Sequence, residues 1–457
     1  MAETLSDERP LAFDDLAAWF ARGGKDPSEF RVGAEHEKFV FRLGSHAPAP
    51  YEGEAGVKAL MEGLMRFGWA GTYERNDAGG ETLIGLSRGM ANVSLEPGGQ
   101  FELSGAPLRS MHDICEETGA HLKEVKQVAG ELGLGFLGLG FTPLWRRDEV
   151  PMMPKGRYRI MRRYMPLVGS MGLDMMFRTC TVQANLDFAD EADMIAKFRV
   201  SLALQPIATA LFANSPFTEG KPNGFLSARA NVWTDTDNHR TGMLDFVFED
   251  GFGFETYARW ALDTPMYFVK RDGRYIDVAG RSFRDFMDGR LPQLPGERPG
   301  INDWVDHTST LFPEVRLKQY LEMRGADAGP WSRLCALPAL WAGVLYDPAA
   351  QAAAWDLCKH WTSEDRAALR GDVARLGLKA VVAGRTAQDV AKDMLAIARA
   401  GLKRRGRLSA GMVDETGYLA DLEDIADSGV TAAERLLELY HGPWQGDVSQ
   451  VFETFAY

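Results

Sequence analysis

Arg31-Val32-Gly33-Ala34-Glu35-His36-Glu37-Lys38-Phe39-Val40 is the stretch on which the fold turns. Read as a β-strand, its side chains alternate between two faces, so Glu35 and Glu37 project from one face about 6–7 Å apart. Nothing in the strand offsets two neighbouring like charges. A cation between them would, and a carboxylate pair that leaves room for waters and phosphate oxygens is how hard Mg²⁺ is usually held. The ordinary alternative is a solvated edge strand with two exposed glutamates. This segment alone does not choose between them.

The next segment shifts the balance. Residues 92–104, NVSLEPGGQFELS, read as a hairpin turning at Pro97-Gly98-Gly99. Val93, Leu95, Phe101 and Leu103 share an apolar face, whereas Asn92, Ser94, Glu96, Gln100, Glu102 and Ser104 share the other. A three-residue loop sets Glu96 opposite Gln100 and Ser94 opposite Glu102. Two further strands repeat the theme. Over 177–187, Thr179, Thr181, Gln183, Asn185 and Asp187 point one way; over 320–324, Tyr320, Glu322 and Arg324 do. The pattern predicts a curved antiparallel sheet with a wet, carboxylate-lined concave face. Four or five carboxylates there would bind two or three Mg²⁺ ions with the phosphates of ATP, neutralising the triphosphate and assisting phosphoryl transfer to a carboxylate.

Around those strands the chain reads as an ordinary globular protein. It has 457 residues, and 51 basic against 64 acidic side chains give −13. Such a balance excludes bulk attraction to nucleic acid or to an anionic membrane, but not local handling of small anions. Four cysteines without a CxxC pair exclude a disulfide scaffold and a zinc ribbon. Met1–Arg9 is acidic without an apolar core, hence no secretory signal, and no apolar run approaches a membrane span. A cytoplasmic enzyme is expected.

Helical spacing marks 10–24, 55–68, 112–132 ending at Gly133, and 191–213 entered at Asp190; 290–300, with three prolines, is a loop. A catalytic sheet core is expected over 10–344 and a mainly helical layer over 345–457, with Thr362 and Thr386 as N-caps. Gly133, Gly135 and Gly138 spell GxGxxG, but a helix precedes them and Pro143 follows, so the dinucleotide fingerprint is rejected for a glycine-lightened strand.

GAEHEKF (33–39), SLEPGGQFELS (94–104), PKGRYRIMRRYMPLVGSMGLDMMFRTCTVQANLDF (154–188), FANSPFTEGKPNGFLSARANVWTDTDNHRTGML (212–244) and HTSTLFPEVRLKQYLEMRGAD (307–327) together resemble the plant-type glutamate–cysteine ligases, a group found also in proteobacteria. The resemblance runs from about residue 10 to the end. With no plastid transit segment read ahead of it, a bacterial enzyme is expected. It implies an α+β, glutamine-synthetase-like fold: an antiparallel sheet forming a funnel, with helices outside. The reaction implied joins the γ-carboxylate of L-glutamate to L-cysteine at the expense of ATP, through a γ-glutamyl phosphate. That is the first step of glutathione synthesis.

By motif match, the metal-binding carboxylates fall on Glu35, Glu37, Glu96, Glu102 and Glu322. Where distantly related bacterial enzymes place a histidine ligand, this chain has Gln183. Arg324, beside Glu322, is the candidate for the phosphate or acyl phosphate, and Arg229 the candidate for a substrate α-carboxylate. Arg178, on the apolar side of its strand, is the weaker one. Thr179, Thr181, Gln183 and Asn185 are expected to contact substrate. Arg159, Arg162 and Arg163 with Tyr158 and Tyr164 form either an anion-attracting rim or a solvated helix face. Plant members are redox-regulated through disulfides and can dimerise, so monomer and homodimer stay open. Cys335 with Cys358 is the pairing considered, although a cytoplasmic setting argues against a permanent bond. A ligase for another amine and a non-catalytic nucleotide or thiol sensor are the alternative functions. Retention of all five carboxylates speaks against the sensor.

Overall fold

The computed structural model describes residues 11–75 and 79–457. The acidic Met1–Arg9 stretch, read above as lacking a secretory signal, lies outside the described residues. Among the described residues nine strands make one antiparallel sheet: β1 (Val32–Arg42), β2 (Ala70–Arg75), β3 (Glu81–Arg88), β4 (Ala91–Leu95), β5 (Phe101–Ser104), β6 (Leu134–Leu137), β7 (Thr181–Leu186), β8 (Val315–Leu317) and β9 (Leu321–Asp327). Their order is β8-β9-β7-β1-β5-β4-β3-β2, an open path rather than a closed barrel. The long strand β1 lies at its centre. Its first half pairs with β7 on one side and β5 on the other, and Phe39–Arg42 take up β6.

The hairpin follows its polar–apolar alternation. Ser94 pairs with Glu102 and Leu95 with Phe101, and the Glu96 amide donates to the Gln100 carbonyl at 3.0 Å. Val93, Leu95, Phe101 and Leu103 are fully buried, which fixes the register, because a one-residue slip would turn all four to water. Gly135, Gly138 and Gly140 serve close packing. A Cβ on Gly135 would lie 2.5 Å from the Phe41 ring, so β6 can sit under β1 only as written.

The helix Met111–Leu132 is capped at Ser110 and ends at Gly133, whose φ of 68° only glycine adopts cheaply. The helix Glu191–Leu211 starts at Asp190, whose side chain accepts from the Asp193 amide. From Phe198 onward it is buried on nearly all sides. It lies between β9 and the helices Pro348–Cys358, Ser363–Leu376 and Ala387–Arg405, which explains its lack of a polar face. Thr362 and Thr386 cap the last two as expected. The helices Trp331–Leu345 and Ala387–Arg405 touch backbone to backbone: a Cβ on Gly401 would lie 1.9 Å from the Gly343 carbonyl oxygen. One continuous apolar core runs from Leu11 to Phe452.

Two expectations need correction. Phe177 and Arg178 are not strand; they close the helix Gly172–Arg178, and β7 begins at Thr181. Cys335 is bonded not to Cys358 but to Cys115, with Cα atoms 5.8 Å apart, joining the helices Met111–Leu132 and Trp331–Leu345. Cys358 is a free, buried thiol that donates to the Ala354 carbonyl. Among the described residues no helix is long and apolar enough to cross a membrane.

Candidate active site

Strand register assembles the polar face. Glu37 lies opposite Glu102, Glu35 opposite Gln183, and Glu322 opposite both Asn185 and Arg316. Above them opens a cleft of about 460 Å³ lined by Glu35, Glu37, Glu96, Glu102, Gln183 and Arg324, among others. A smaller recess of about 80 Å³ shares Glu37, Glu96, Gln183 and Arg324 with it and adds Thr179, Thr181 and Arg229. The candidate residues therefore meet in two adjoining cavities, except Asn185 and Glu322, which lie behind the lining. Asn185 donates to Glu35 Oε1 at 2.8 Å and so orients that carboxylate.

The carboxylates are short of counter-charge. Glu102 is buried and accepts from Ser94 Oγ at 2.6 Å. Burial, then the charges of Glu96, Glu35 and Glu37, push its carboxyl well above the usual range. Burial and Glu96 likewise push Glu37 up to about 8, against the pull of Arg229 and of the Thr181 amide, which donates to it at 3.0 Å. The reverse face of β1 is not simply apolar. Lys38 is fully buried there, donates to the Phe101 carbonyl at 3.2 Å, and is pushed down to about 7, chiefly by burial.

Glu322 is the opposite case. It is wholly buried, and Arg316 grips both of its oxygens; Arg324 Nη1 reaches it at 3.0 Å and Lys318 Nζ stands 3.6 Å away. Burial opposes ionisation, but these three cations outweigh it and hold the carboxyl well below its ordinary value. Expected as a metal ligand, Glu322 has both oxygens engaged by guanidinium groups in this structure. Arg324 also donates to Gln183 Oε1 at 2.7 Å, which anchors it between the two cavities.

Arg229, on the short helix Ala228–Val232, is buried in the recess. Its Nη2 donates to the Arg324 carbonyl at 2.9 Å, while Nε and Nη1 have no partner. Unpaired N–H groups on a buried guanidinium cost free energy unless a ligand satisfies them. The threonines are less available. Thr179 donates its hydroxyl to the Met175 carbonyl and Thr181 to that of Ala326, so both line the recess with their hydrogens turned into the protein. Arg178 is held by Asp174 and Glu219 as a structural ion pair.

Sequence reasoning missed four cations of the cleft: Lys155, Arg157, Arg316 and Lys318. Burial and the neighbouring Arg157 push Lys155 down to about 8. The signal for Arg316 and Lys318 was a period of two across 315–318, hidden because β8 has only three residues. Lys155 and Arg157 straddle the start of the helix Gly156–Tyr164, as its N-cap and second residue, and were outshone by Arg159, Arg162 and Arg163, which are exposed.

Among the described residues no three acidic, histidine or cysteine side chains converge to enclose a metal ion as they stand. Pairs do fit. Glu37 and Glu102 are cross-strand neighbours beside Glu96, all three are hard oxygen donors, and burial followed by repulsion from neighbouring carboxylates raises the carboxyls of Glu37 and Glu102. Mg²⁺ is commonly held by one or two carboxylates completed by waters and phosphate oxygens.

A family model described as glutamate-cysteine ligase family 2 (GCS2) matches residues 31–454. The chloroplastic glutamate–cysteine ligase of Nicotiana tabacum is 56% identical over 449 residues, 98% of this chain and 83% of its own length. That of Arabidopsis thaliana is 55% identical over 456 residues, 100% of this chain and 85% of its own. A solved glutamate–cysteine ligase from Francisella tularensis, in complex with AMP, superposes with a TM-score of 0.53 at 12% identity, covering 93% of this chain and 89% of that one. At that identity the likeness concerns the fold, and it bears out the ligase architecture expected above. The cytoplasmic expectation is overturned: these curated relatives are chloroplastic enzymes.

Proposed function

Because the chain belongs to glutamate–cysteine ligase family 2, and is therefore a ligase, we propose that it joins L-glutamate to L-cysteine with ATP and Mg²⁺, giving γ-glutamylcysteine for glutathione synthesis. The observation that carries this reading is the pairing, in one recess, of an orphaned buried guanidinium with carboxylates that lack counter-charge. Arg229 grips the α-carboxylate of glutamate through Nε and Nη1, satisfying both at once. Held there, the substrate's γ-carboxylate extends toward Arg324 and the larger cleft.

A γ-carboxylate oxygen attacks the γ-phosphorus of ATP and ADP departs. The amine of cysteine then attacks the acyl carbon and expels phosphate. Arg324 meets the charge that builds on the transferring phosphoryl oxygens, while Lys155, Arg157 and Lys318 receive the rest of the triphosphate. Glu37, Glu96 and Glu102 would hold Mg²⁺, which supplies charge neutralisation to the phosphates. Glu35, oriented by Asn185, completes that wall. Glu322 joins the metal set only when Arg324 or Arg316 leaves it for phosphate.

The purified protein, given glutamate, cysteine, ATP and Mg²⁺, is expected to release ADP and γ-glutamylcysteine in equal amounts, and to stop when a chelator is added. Product without ADP, or ADP without product, would sink the reading. Comparing kcat/KM for cysteine, 2-aminobutyrate and alanine assigns the acceptor.

A further inference from the structure

A third cavity, of about 490 Å³, shares no lining residue with the cleft or its recess. It lies where the helix Ala432–His441 and Phe455 meet the segment after β6 and the start of the helix Trp331–Leu345. Its volume falls within the range of small-molecule sites, and its walls are largely apolar, with Leu139, Leu436, Leu439 and Phe455 among them.

Two arginines break that apolar surface. Arg333 is buried, with 4% of its surface exposed; its Nε donates to Asp421 at 3.1 Å, but its Nη1 has no partner. Burial draws its charge down, Asp421 opposes that, and Arg435 on the facing helix adds repulsion. Arg435 makes no ion pair with a described residue, and the other acid of the lining, Glu438, is exposed. Asp421 is already engaged with both Arg333 and Ser332. The cavity therefore offers an apolar bed next to one buried, unused guanidinium donor, on Arg333, and the exposed guanidinium of Arg435.

We propose that this cavity is a second ligand site, specific for a small carboxylate with an apolar aryl or alkyl body. The carboxylate takes the free N–H of Arg333 with Arg435, and the body lies against Leu436 and Leu439. A planar guanidinium suits a carboxylate, and the buried donor gains a partner it lacks.

The test is calorimetric titration of the full-length protein, without ATP or amino acids, using 4-phenylbutyrate and decanoate as probes and 4-phenylbutylamine as the charge control. At least one acid is expected to bind with Kd under about 1 mM, and the amine at least about tenfold more weakly. Arg435→Gln should weaken the acid about tenfold, and Leu439→Trp, which fills the cavity, should abolish its heat. Ligase turnover should be unchanged in both variants, which shows that they fold. No binding of either acid at about 5 mM overturns the proposal. So does binding untouched by Leu439→Trp, or an amine that binds as well as the acids. Because the readout is heat without substrates, the result stands apart from that of the ligase assay.

Discussion

The two banks of the cleft are opposites built from one sheet. On the bank made by β8 and β9, Glu322 sits among Arg316, Lys318 and Arg324 and is held firmly ionised. On the bank made by β1, β4 and β5, Glu37, Glu96 and Glu102 crowd together with little to offset them, and the carboxyls of Glu37 and Glu102 are pushed upward. One bank has cations to spare and suits phosphate; the other has anions to spare and suits a metal ion. The net charge of −13 averages over this division and hides it. An acidic protein can thus be shaped for ATP and glutamate, because attraction is decided within a few ångströms.

The comparison breaks most visibly at Arg324, which faces both cavities. Arg324→Gln should lower kcat by about a thousandfold, the upper range for losing one preorganised donor to a developing oxyanion. Initial rates of ADP release at saturating substrate measure it. A loss confined to KM would mean that Arg324 binds the ground state only, and that the cation-rich bank is a docking surface rather than a catalytic one.

The next effect is on stability, and it has opposite signs on the two banks. Glu322→Gln leaves three cations around a neutral amide and should cost about 3–5 kcal/mol, the usual price of breaking a buried ion pair from one side. Glu37→Gln removes one of several crowded like charges and should leave stability unchanged or raise it. Urea denaturation of the two variants without ligands separates the cases. The sequence grouped both glutamates as metal ligands and implied one common response; equal shifts would restore that view and erase the difference between the banks.

How much was legible follows from the range of the forces involved. Alternation along β1, β4 and β5 announced the sheet and its polar face, because burial of Val93, Leu95, Phe101 and Leu103 leaves one register open. Helix ends at Gly133, Asp190, Thr362 and Thr386 were local and readable. Arg229 was found through its motif, but that two of its N–H groups are unpaired is a property of the folded recess alone. The Cys115–Cys335 bond, 220 residues apart in sequence, and the seizure of Glu322 by Arg316 depend on which segments meet. No pattern within one strand reports that.

A smaller effect concerns pH. Folding raises the Glu37 carboxyl from 4.5 to about 8, through burial first and Glu96 second. The folded chain therefore binds more protons than the unfolded chain between those values, and stability should fall as pH rises through that interval, then level off above about 8. Glu37→Gln should flatten this decline, and Mg²⁺ with an ATP analogue should do the same in the native protein. Denaturation midpoints across the interval decide it. A native stability that climbs with pH there would show that the carboxylate bank is compensated after all.

The smallest effect tests where the β7 boundary of the recess gets its function. Thr181 was expected to contact substrate, yet its hydroxyl donates to the Ala326 carbonyl at 2.8 Å, and it is the backbone amide that reaches Glu37 at 3.0 Å. Thr181→Val keeps that amide and nearly the same shape. It should cost about 1 kcal/mol of stability for the lost hydrogen bond and change kcat/KM by no more than about threefold. A tenfold rise in KM for glutamate with kcat intact would return the hydroxyl to the substrate. With a near-normal KM, the contribution of this position is to hold Glu37 in place on the carboxylate bank, a task that any residue with an N–H and a strand conformation can perform.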